Sequence, residues 1–554
     1  MADLSVLIAG AGPSGLTLAI ELARRGIPNR ILDRERTRPT TSRAIGTQRR
    51  TTEVFRMMGI PASALTPSVR LRGLRLADGT RTLASLRFDA SETGVMIMDE
   101  TDTERVLEQR LSQLGGAVEY GRELTTFRDD GDHLVATVRD ANGTEEIACQ
   151  FLVGADGAHS AVREAAGIGF TGITYPEQFL LADLDLDWEV SHDEGRIWVG
   201  DDGLVAVLPL PPQRRWRIIA ATSTNRYPDH LSPAELAPLA ERLLRERSKT
   251  AFRVIGDPAW VSAFHVHRRI ADRYMQGRVL LVGDAAHIHS PVGAQGMNTG
   301  IQDAFNLGWK LALAARGVAA PGLLASYQTE RHAVAAAVLR GTDLGTRLML
   351  GRNPLSRVVR EQVVPMLADM APVRRRLLDA VAEVTIGYRS SPLSVNGERE
   401  QGPRRFLARE RGLRAGERVP NATLQRGANG EPVELLELFA SGWTMLLFPG
   451  AGETVALDQA AALVREMVGE MIHPYLVRST ATDTDSAIPV LVDVTGGVER
   501  MLGGERGAIA LVRPDGYLGF RGEPGEPGDL ASYLARIFAM SIAEREPVAG
   551  TIAG

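Results

Sequence analysis

Near the N-terminus, three glycines and one acid have the types and the spacing to hold a dinucleotide. The run Gly10-Ala11-Gly12-Pro13-Ser14-Gly15 follows the apolar stretch Leu4–Ala9 and precedes Leu16, Leu18, Ala19, Ile20, Leu22 and Ala23. That order reads as strand, glycine turn and apolar-faced helix, with Gly26 as the stop. Gly10 permits a tight turn, Gly12 lets backbone approach a diphosphate, and Gly15 lets helix pack closely on strand. The helix N-terminus adds free N–H groups and the positive end of its dipole. Ile31-Leu32-Asp33 reads as the second strand, and its acid, 18 residues beyond Gly15, is placed to accept a ribose hydroxyl. The pattern calls for a dinucleotide without separating FAD from NAD.

Two later segments repeat the strand-to-turn pattern. Phe151-Leu152-Val153-Gly154-Ala155-Asp156-Gly157 is followed by Ser160, Val162 and Arg163 on a short helix. Val279-Leu280-Leu281-Val282-Gly283-Asp284 is followed by His287, His289, Pro291 and Gly293. Then come Gly296-Met297-Asn298-Thr299-Gly300 and the apolar-faced run Ile301, Ala304, Phe305, Leu307 and Leu311. A helix starting near Gly296 directs N–H groups and its positive end outward, which suits a group that gains negative charge on reduction.

These three segments, in this order, resemble the single-component FAD-dependent aromatic hydroxylases typified by para-hydroxybenzoate hydroxylase. Within them the likeness is to the aromatic-polyketide hydroxylases and the rifampicin-monooxygenase-like enzymes. It spans roughly residues 1–390. The resemblance implies that Gly10, Gly12 and Gly15, with Pro13 and Ser14 between them, form the pyrophosphate loop. Asp33 then stands as the ribose-binding acid with Arg34 beside it, and Arg43 near the FAD phosphates. Leu124 falls where an apolar residue flanks the adenine. Asp156, Gly157 and Arg163 match a motif linked to both FAD and NADPH. Asp284 matches the acid that holds the ribityl or pyrophosphate part. Pro291 lies where a proline faces the isoalloxazine, and Gly296, Met297 and Asn298 match the segment whose backbone faces flavin N1 and O2. His289, two residues before Pro291, is a candidate neighbour of flavin or substrate. Glu100 stands where the family carries a glutamine; it can accept a ribose hydrogen bond but cannot donate one. Gln48 stands where the family often has histidine.

The resemblance also implies a reaction. FAD is the cofactor, NADPH (or NADH) a transient co-substrate, and O₂ reacts with reduced flavin to give a C4a-hydroperoxide that hydroxylates an electron-rich ring. The implied substrate is a small-molecule aromatic of polycyclic, polyketide type. The alternatives are Baeyer–Villiger oxygenation of a polyketide ketone and hydroxylation of a simple phenol. Further off lie an FAD reductase and an FAD-bound sensor. No second G-x-G-x-x-G stands in a strand–turn–helix context, so the nicotinamide is expected in a groove. The flavin carries the hard chemistry, so neither a protein nucleophile nor a metal is expected. The pairs His265/His267 and His287/His289 are expected to serve packing or hydrogen bonding.

The elements that must position these residues follow from length and pattern. A chain of 554 residues is too long for one core and should form two or three domains. The expected fold is α/β: a Rossmann-like FAD-binding domain from residues 1–68, 97–174 and 266–392. A mostly antiparallel β-sheet substrate domain is expected from 69–96 and 175–265, and a thioredoxin-like C-terminal domain from 393–554. In the middle stretch, runs starting at Phe179, Arg196, Leu204 and Trp216 read as strands and 234–247 as a helix. Arg214, Arg215 and Arg217 cluster near Trp216, where an anchor for a small carboxylate and solvation of a turn explain them equally well. Hydrophobic residues are 44% and charged residues 24%, an ordinary globular balance that excludes a fibrous or largely disordered chain. A net charge of −5 lacks the basic footprint of a nucleic-acid partner. Cys149 is the single cysteine, which excludes an internal disulfide and thiol redox chemistry in the C-terminal domain. No apolar run is long enough to span a membrane, and Leu4–Ala9 reads as a strand rather than a leader. A cytoplasmic monomer or homodimer is the expectation.

Overall fold

The computed structural model describes residues 4–40, 44–66, 68–88, 95–200, 203–222, 232–289, 295–350, 358–397, 412–427, 430–450, 454–480 and 487–539. The chain divides into two compact units. One holds Met1–Phe55, Ile60–Phe305 and Arg331–Thr385; the other holds Arg56–Gly59, Asn306–Glu330 and Ile386–Gly554.

The first unit contains the dinucleotide layer. Five strands run parallel in the order Val279–Leu281, Gly143–Gly154, Leu4–Ala9, Asn29–Asp33 and Val118–Tyr120. Val6, Leu7 and Ile8 are fully buried, as a central parallel strand requires. Register sets Ile8 beside both Val153 and Ile31, and Gly154 beside Leu281. Parallel direction and matched register bring Gly10, Asp33, Ala155 and Gly283 to one end of the sheet, the carboxyl end where such sheets take ligands. The helix Pro13–Ala23 starts with its proline in the first turn, and Gly26 takes φ +64° to close it.

The same unit contains an eight-stranded sheet. Its order is His287–Ile288, Arg253–Ala271, Phe170–Asp187, Arg215–Thr222, Gly203–Leu210, Glu194–Gly200, Gly73–Asp78 and Arg81–Arg87. Neighbours are antiparallel except Glu194–Gly200 with Gly73–Asp78. The long strands Phe170–Asp187 and Arg253–Ala271 run unbroken past residues 174 and 266, with a register shift between Thr174 and Gln178. One face packs through Trp198, Trp216, Ile218 and Ala220 on Leu236, Leu239 and Leu243 of the helix Pro233–Ser248. That helix opens with a capping box in which the Ser232 N–H donates to Glu235 at 2.8 Å. The other face carries Phe179, Val199, Leu204 and Ala221, with the partly buried Ile219 and Phe264 beside them.

The second unit is built on another eight-stranded sheet. Trp443–Phe448 pairs parallel with Ile472–Arg478 across the helix Val455–Val468, and antiparallel with Ala508–Val512, whose hairpin partner is Leu518–Gly522. This 4-3-1-2 arrangement is thioredoxin-like. Its core joins Trp309, Trp443, Leu457, Val464, Leu530 and Leu534.

Candidate functional site

The three glycines of the first turn do three different jobs. Gly10 has φ +102°, and a Cβ there would stand 2.3 Å from the Ala155 carbonyl oxygen. A Cβ on Gly15 would stand 2.0 Å from the Gly10 carbonyl oxygen. Both positions are closed to any side chain. Gly12 differs: around its Cβ position the nearest neighbour is Glu104 Oε1 at 4.0 Å. An open face at the one glycine expected to meet a diphosphate is a cradle that suits FAD. Asp33 holds this loop, its Oδ2 accepting from the Ala11 N–H at 2.8 Å and its Oδ1 from the Glu35 N–H at 2.9 Å. Arg34 is exposed, 3.7 Å from Glu35.

Two other motifs converge on the same loop. A Cβ on Gly283 would meet Ser14 Oγ at 2.5 Å, and one on Gly300 would meet it at 2.4 Å. The glycine turn, the Gly283–Asp284 turn and the first turns of Gly296–Ala315 therefore touch backbone to side chain at Ser14. Asp284 is exposed between the buried Gly283 and Ala285, so its carboxylate faces outward from a buried turn. Arg163 is buried and donates to the carbonyls of Ala285 at 3.1 Å and Ala158 at 3.0 Å, with Phe170 under its guanidinium at 4.0 Å. It links the Asp156–Gly157 motif to the Asp284 turn. Asp156 Oδ2 accepts from the Val162 N–H at 3.2 Å at the start of the helix Ala161–Ala165, and burial raises its carboxyl above the usual range.

Asn298 is fully buried and its side chain is engaged by protein: Oδ1 accepts from the Gln48 N–H at 2.9 Å and Nδ2 donates to the Gly46 carbonyl at 3.0 Å. Met297 is partly buried beside it. The Gly296 Cβ position lies 3.8 Å from the His289 ring, which stacks on His287 at 6.3 Å and 7°. Glu100 Oε2 accepts from the Ala44 N–H at 3.1 Å. Leu124 is buried, opposite Val138. Gly157, at φ +78°, has nothing near its Cβ position. Arg43 and Pro291 lie outside the described residues.

A family model described as an FAD binding domain matches residues 3–342, and one described as the aromatic-ring hydroxylase C-terminal domain matches 413–540. The chain belongs to the FAD-dependent aromatic-ring hydroxylases. It is a flavin-dependent monooxygenase with FAD as its cofactor. It is 32% identical to 6-methylpretetramide 4-monooxygenase of Streptomyces rimosus, over 99% of this chain and 96% of that one. It is 32% identical to pentachlorophenol 4-monooxygenase of Sphingobium chlorophenolicum, over 93% of each. The solved anhydrotetracycline hydroxylase of Streptomyces rimosus superposes with TM-score 0.72 at 30% identity, over 96% of this chain and 99% of that one. Aklavinone-11 hydroxylase, solved with FAD and aklavinone, gives TM-score 0.73 at 25% identity, over 97% and 100%.

The monooxygenase also buries charged residues whose surroundings spacing does not reveal. Asp303 is fully buried, and its oxygens take His287 Nε2 at 2.7 Å and Arg331 Nε at 2.6 Å. Glu104 is buried against Gly12. In the cluster Arg214, Arg215 and Arg217, solvation does not describe Arg217, which is buried in a two-bond pair with Asp183 at 2.7 Å and over Trp260 at 5.3 Å. Strand pairing explains the difference, because Arg217 lies opposite Asp183 in the sheet interior. His267 accepts or donates to Thr174 Oγ1 at 2.8 Å, a hydrogen-bonding role for that pair. Among the described residues no helix is long and apolar enough to cross a membrane.

Proposed function

We propose that this monooxygenase hydroxylates a polycyclic aromatic compound of polyketide type, using NADPH or NADH as reductant. The observation that carries the substrate class is the likeness to 6-methylpretetramide 4-monooxygenase, which runs through all parts of the chain, the C-terminal domain included. When bound, FAD would supply the redox chemistry, electron transfer from a nicotinamide and activation of O₂. The protein's part is to hold the cofactor and shape the substrate space. Asp33 and Ser14 set the glycine loop, Asp284 presents a carboxylate to the cofactor's hydroxyls, and the start of Gly296–Ala315 supplies a positive helix end. The apolar sheet face around Phe179 and Phe264, stacked at 6.3 Å, suits a planar ring system.

Support for the nicotinamide reading lies beside the Asp156–Gly157 motif. Arg268, Arg269 and His267 share one strand, and burial together with Arg269, His159 and His265 holds His267 below its usual value. Of these, Arg269 and His267 alternate onto the same face, and the Arg269 cation there attracts an anionic diphosphate. A reducing cytoplasm is the compartment we propose, since the single cysteine, Cys149, allows no internal disulfide.

The likeness to pentachlorophenol 4-monooxygenase favours a second reading, a single-ring phenol. A substrate panel with product mass spectrometry and NADPH and NADH oxidation separates the two. Gain of one oxygen on tricyclic or tetracyclic phenols is expected. Efficient turnover of single-ring phenols alone would overturn the polycyclic reading.

A further inference from the structure

The helix Glu100–Gln113 packs along the glycine-loop helix and points one carboxyl at the loop itself. Glu104 is 6% exposed, its Oε1 is the nearest atom to the open face of Gly12, and its Oε2 is buried without a hydrogen-bond partner. We propose that Glu104 is a further FAD-contact residue, its carboxyl donating a hydrogen bond to an oxygen of the cofactor's diphosphate beside Gly12. Nothing in the glycine motif calls for an acid here, and an ionised one would repel the ligand.

The surroundings favour the neutral acid. Asp33 faces Glu104 from the second strand, Glu100 and Glu108 from its own helix, Tyr120 from the strand Val118–Tyr120, and Arg38 from the segment after Asp33. Arg38 is the one cation among them, and it already donates to Glu108 at 3.2 Å. Burial first, then Glu100 and Asp33, push the Glu104 carboxyl up to about 8. A diphosphate at Gly12 adds negative charge and strengthens that push. The protonated carboxyl has one O–H to donate, and the cofactor supplies the acceptor that the protein does not.

The test is FAD titration of apoprotein for the wild type, Glu104→Gln and Glu104→Ala. Glutamine keeps a neutral donor of the same length. Wild-type affinity is expected to fall about tenfold between about pH 6.5 and pH 9, as the acid ionises. Glu104→Gln should bind within about threefold of wild type at the lower pH and show no such fall. Glu104→Ala should bind about tenfold more weakly at both. Equal pH dependence in wild type and Glu104→Gln overturns the proposal, as does a Gln variant as weak as the Ala variant. The comparison of wild type with Glu104→Gln stands even if Glu104→Ala does not fold. The proposal rests on the diphosphate lying at Gly12. A Gly12→Val variant that keeps wild-type FAD affinity would sink that placement separately, whatever the pH series shows.

Discussion

Asp303 Oδ2 lies 2.7 Å from His287 Nε2, with both side chains closed to solvent. The other carboxylate oxygen takes Arg331 Nε at 2.6 Å, and Arg331 Nη2 donates to the Thr299 carbonyl at 3.1 Å. Asp303 thus joins the segment just after Asp284 to the first turns of the helix that begins at Gly296. Both are segments that the family resemblance gives to FAD.

Removing that carboxylate should cost far more than one hydrogen bond. Asp303→Ala leaves the fully buried Arg331 without its counter-ion, a change typically worth about 3–5 kcal/mol. Burial alone would raise the Asp303 carboxyl, but Arg331 and His287 more than offset it and hold it below the usual range. Its stabilisation is therefore complete above about pH 4, the unfolded value, and fades as pH falls toward the lower folded value. Urea unfolding of the holoenzyme at neutral pH checks this. A loss under about 1 kcal/mol would refute the role.

The contact at Ser14 predicts a rescue. A methyl on Gly300 meets Ser14 Oγ at 2.4 Å and the Gly283 Cα at 3.1 Å. Gly300→Ala should lower FAD retention and cost about 1–3 kcal/mol by overpacking. Ser14→Ala removes the closer obstacle, so the double variant should recover part of both losses. FAD content after gel filtration and thermal melting report the outcome. A double variant no better than Gly300→Ala would mean that the three segments do not meet there.

What was legible in the sequence was local. Gly10, Gly12, Gly15 and Asp33 lie within one strand–turn–helix–strand unit, where spacing alone dictates who meets whom. The middle strands were legible because alternation and turn residues mark them. Glu104 and Asp303 were not, because their meaning depends on packing across the chain: Glu104 reaches Gly12 only when two helices lie side by side. Asn298 illustrates the same limit. Its place at the helix start follows from the motif, whereas its side chain's partners, Gln48 and Gly46, lie some 250 residues back. Arg217 falls in the run from Trp216 that reads as a strand, but the pattern does not show that Asp183 stands opposite it and closes it from solvent.

The second unit contains a fully buried ion cluster. Arg513 donates to both Glu330 oxygens at 2.6 and 2.8 Å and to Asp515 at 2.6 and 3.0 Å, while Lys310 Nζ reaches Glu330 at 2.7 Å. Arg513 and Lys310 hold the Glu330 carboxyl well below the usual range against its burial. Glu330→Gln leaves two buried cations facing one acid and should destabilise the unit by about 3–5 kcal/mol. Trp309 and Trp443, edge to face at 5.3 Å in this core, give a fluorescence signal for the unfolding curve. A change within about 0.5 kcal/mol would show that the cluster adds no net stability.

Glu383 predicts the opposite pH trend to Asp303. It is buried, takes φ +55° and accepts from Gln302 Nε2, while its Oε1 has no partner. Burial dominates and raises its carboxyl to about 8, with Arg331 and the Gln302 bond pulling down only in part and Asp303 adding to the rise. The folded chain therefore keeps a proton that the unfolded chain releases near 4.5. The contribution is complete below that value and is lost as pH rises to about 8, at a slope on the order of 1.4 kcal/mol per pH unit. Glu383→Gln carries the neutral form at every pH, so this part of the slope should vanish and the variant should exceed the wild type in stability near pH 8. Urea midpoints for both proteins across about pH 5 to 8 measure it. Parallel curves would show that Glu383 is ionised in the folded chain and that some other group sets the trend.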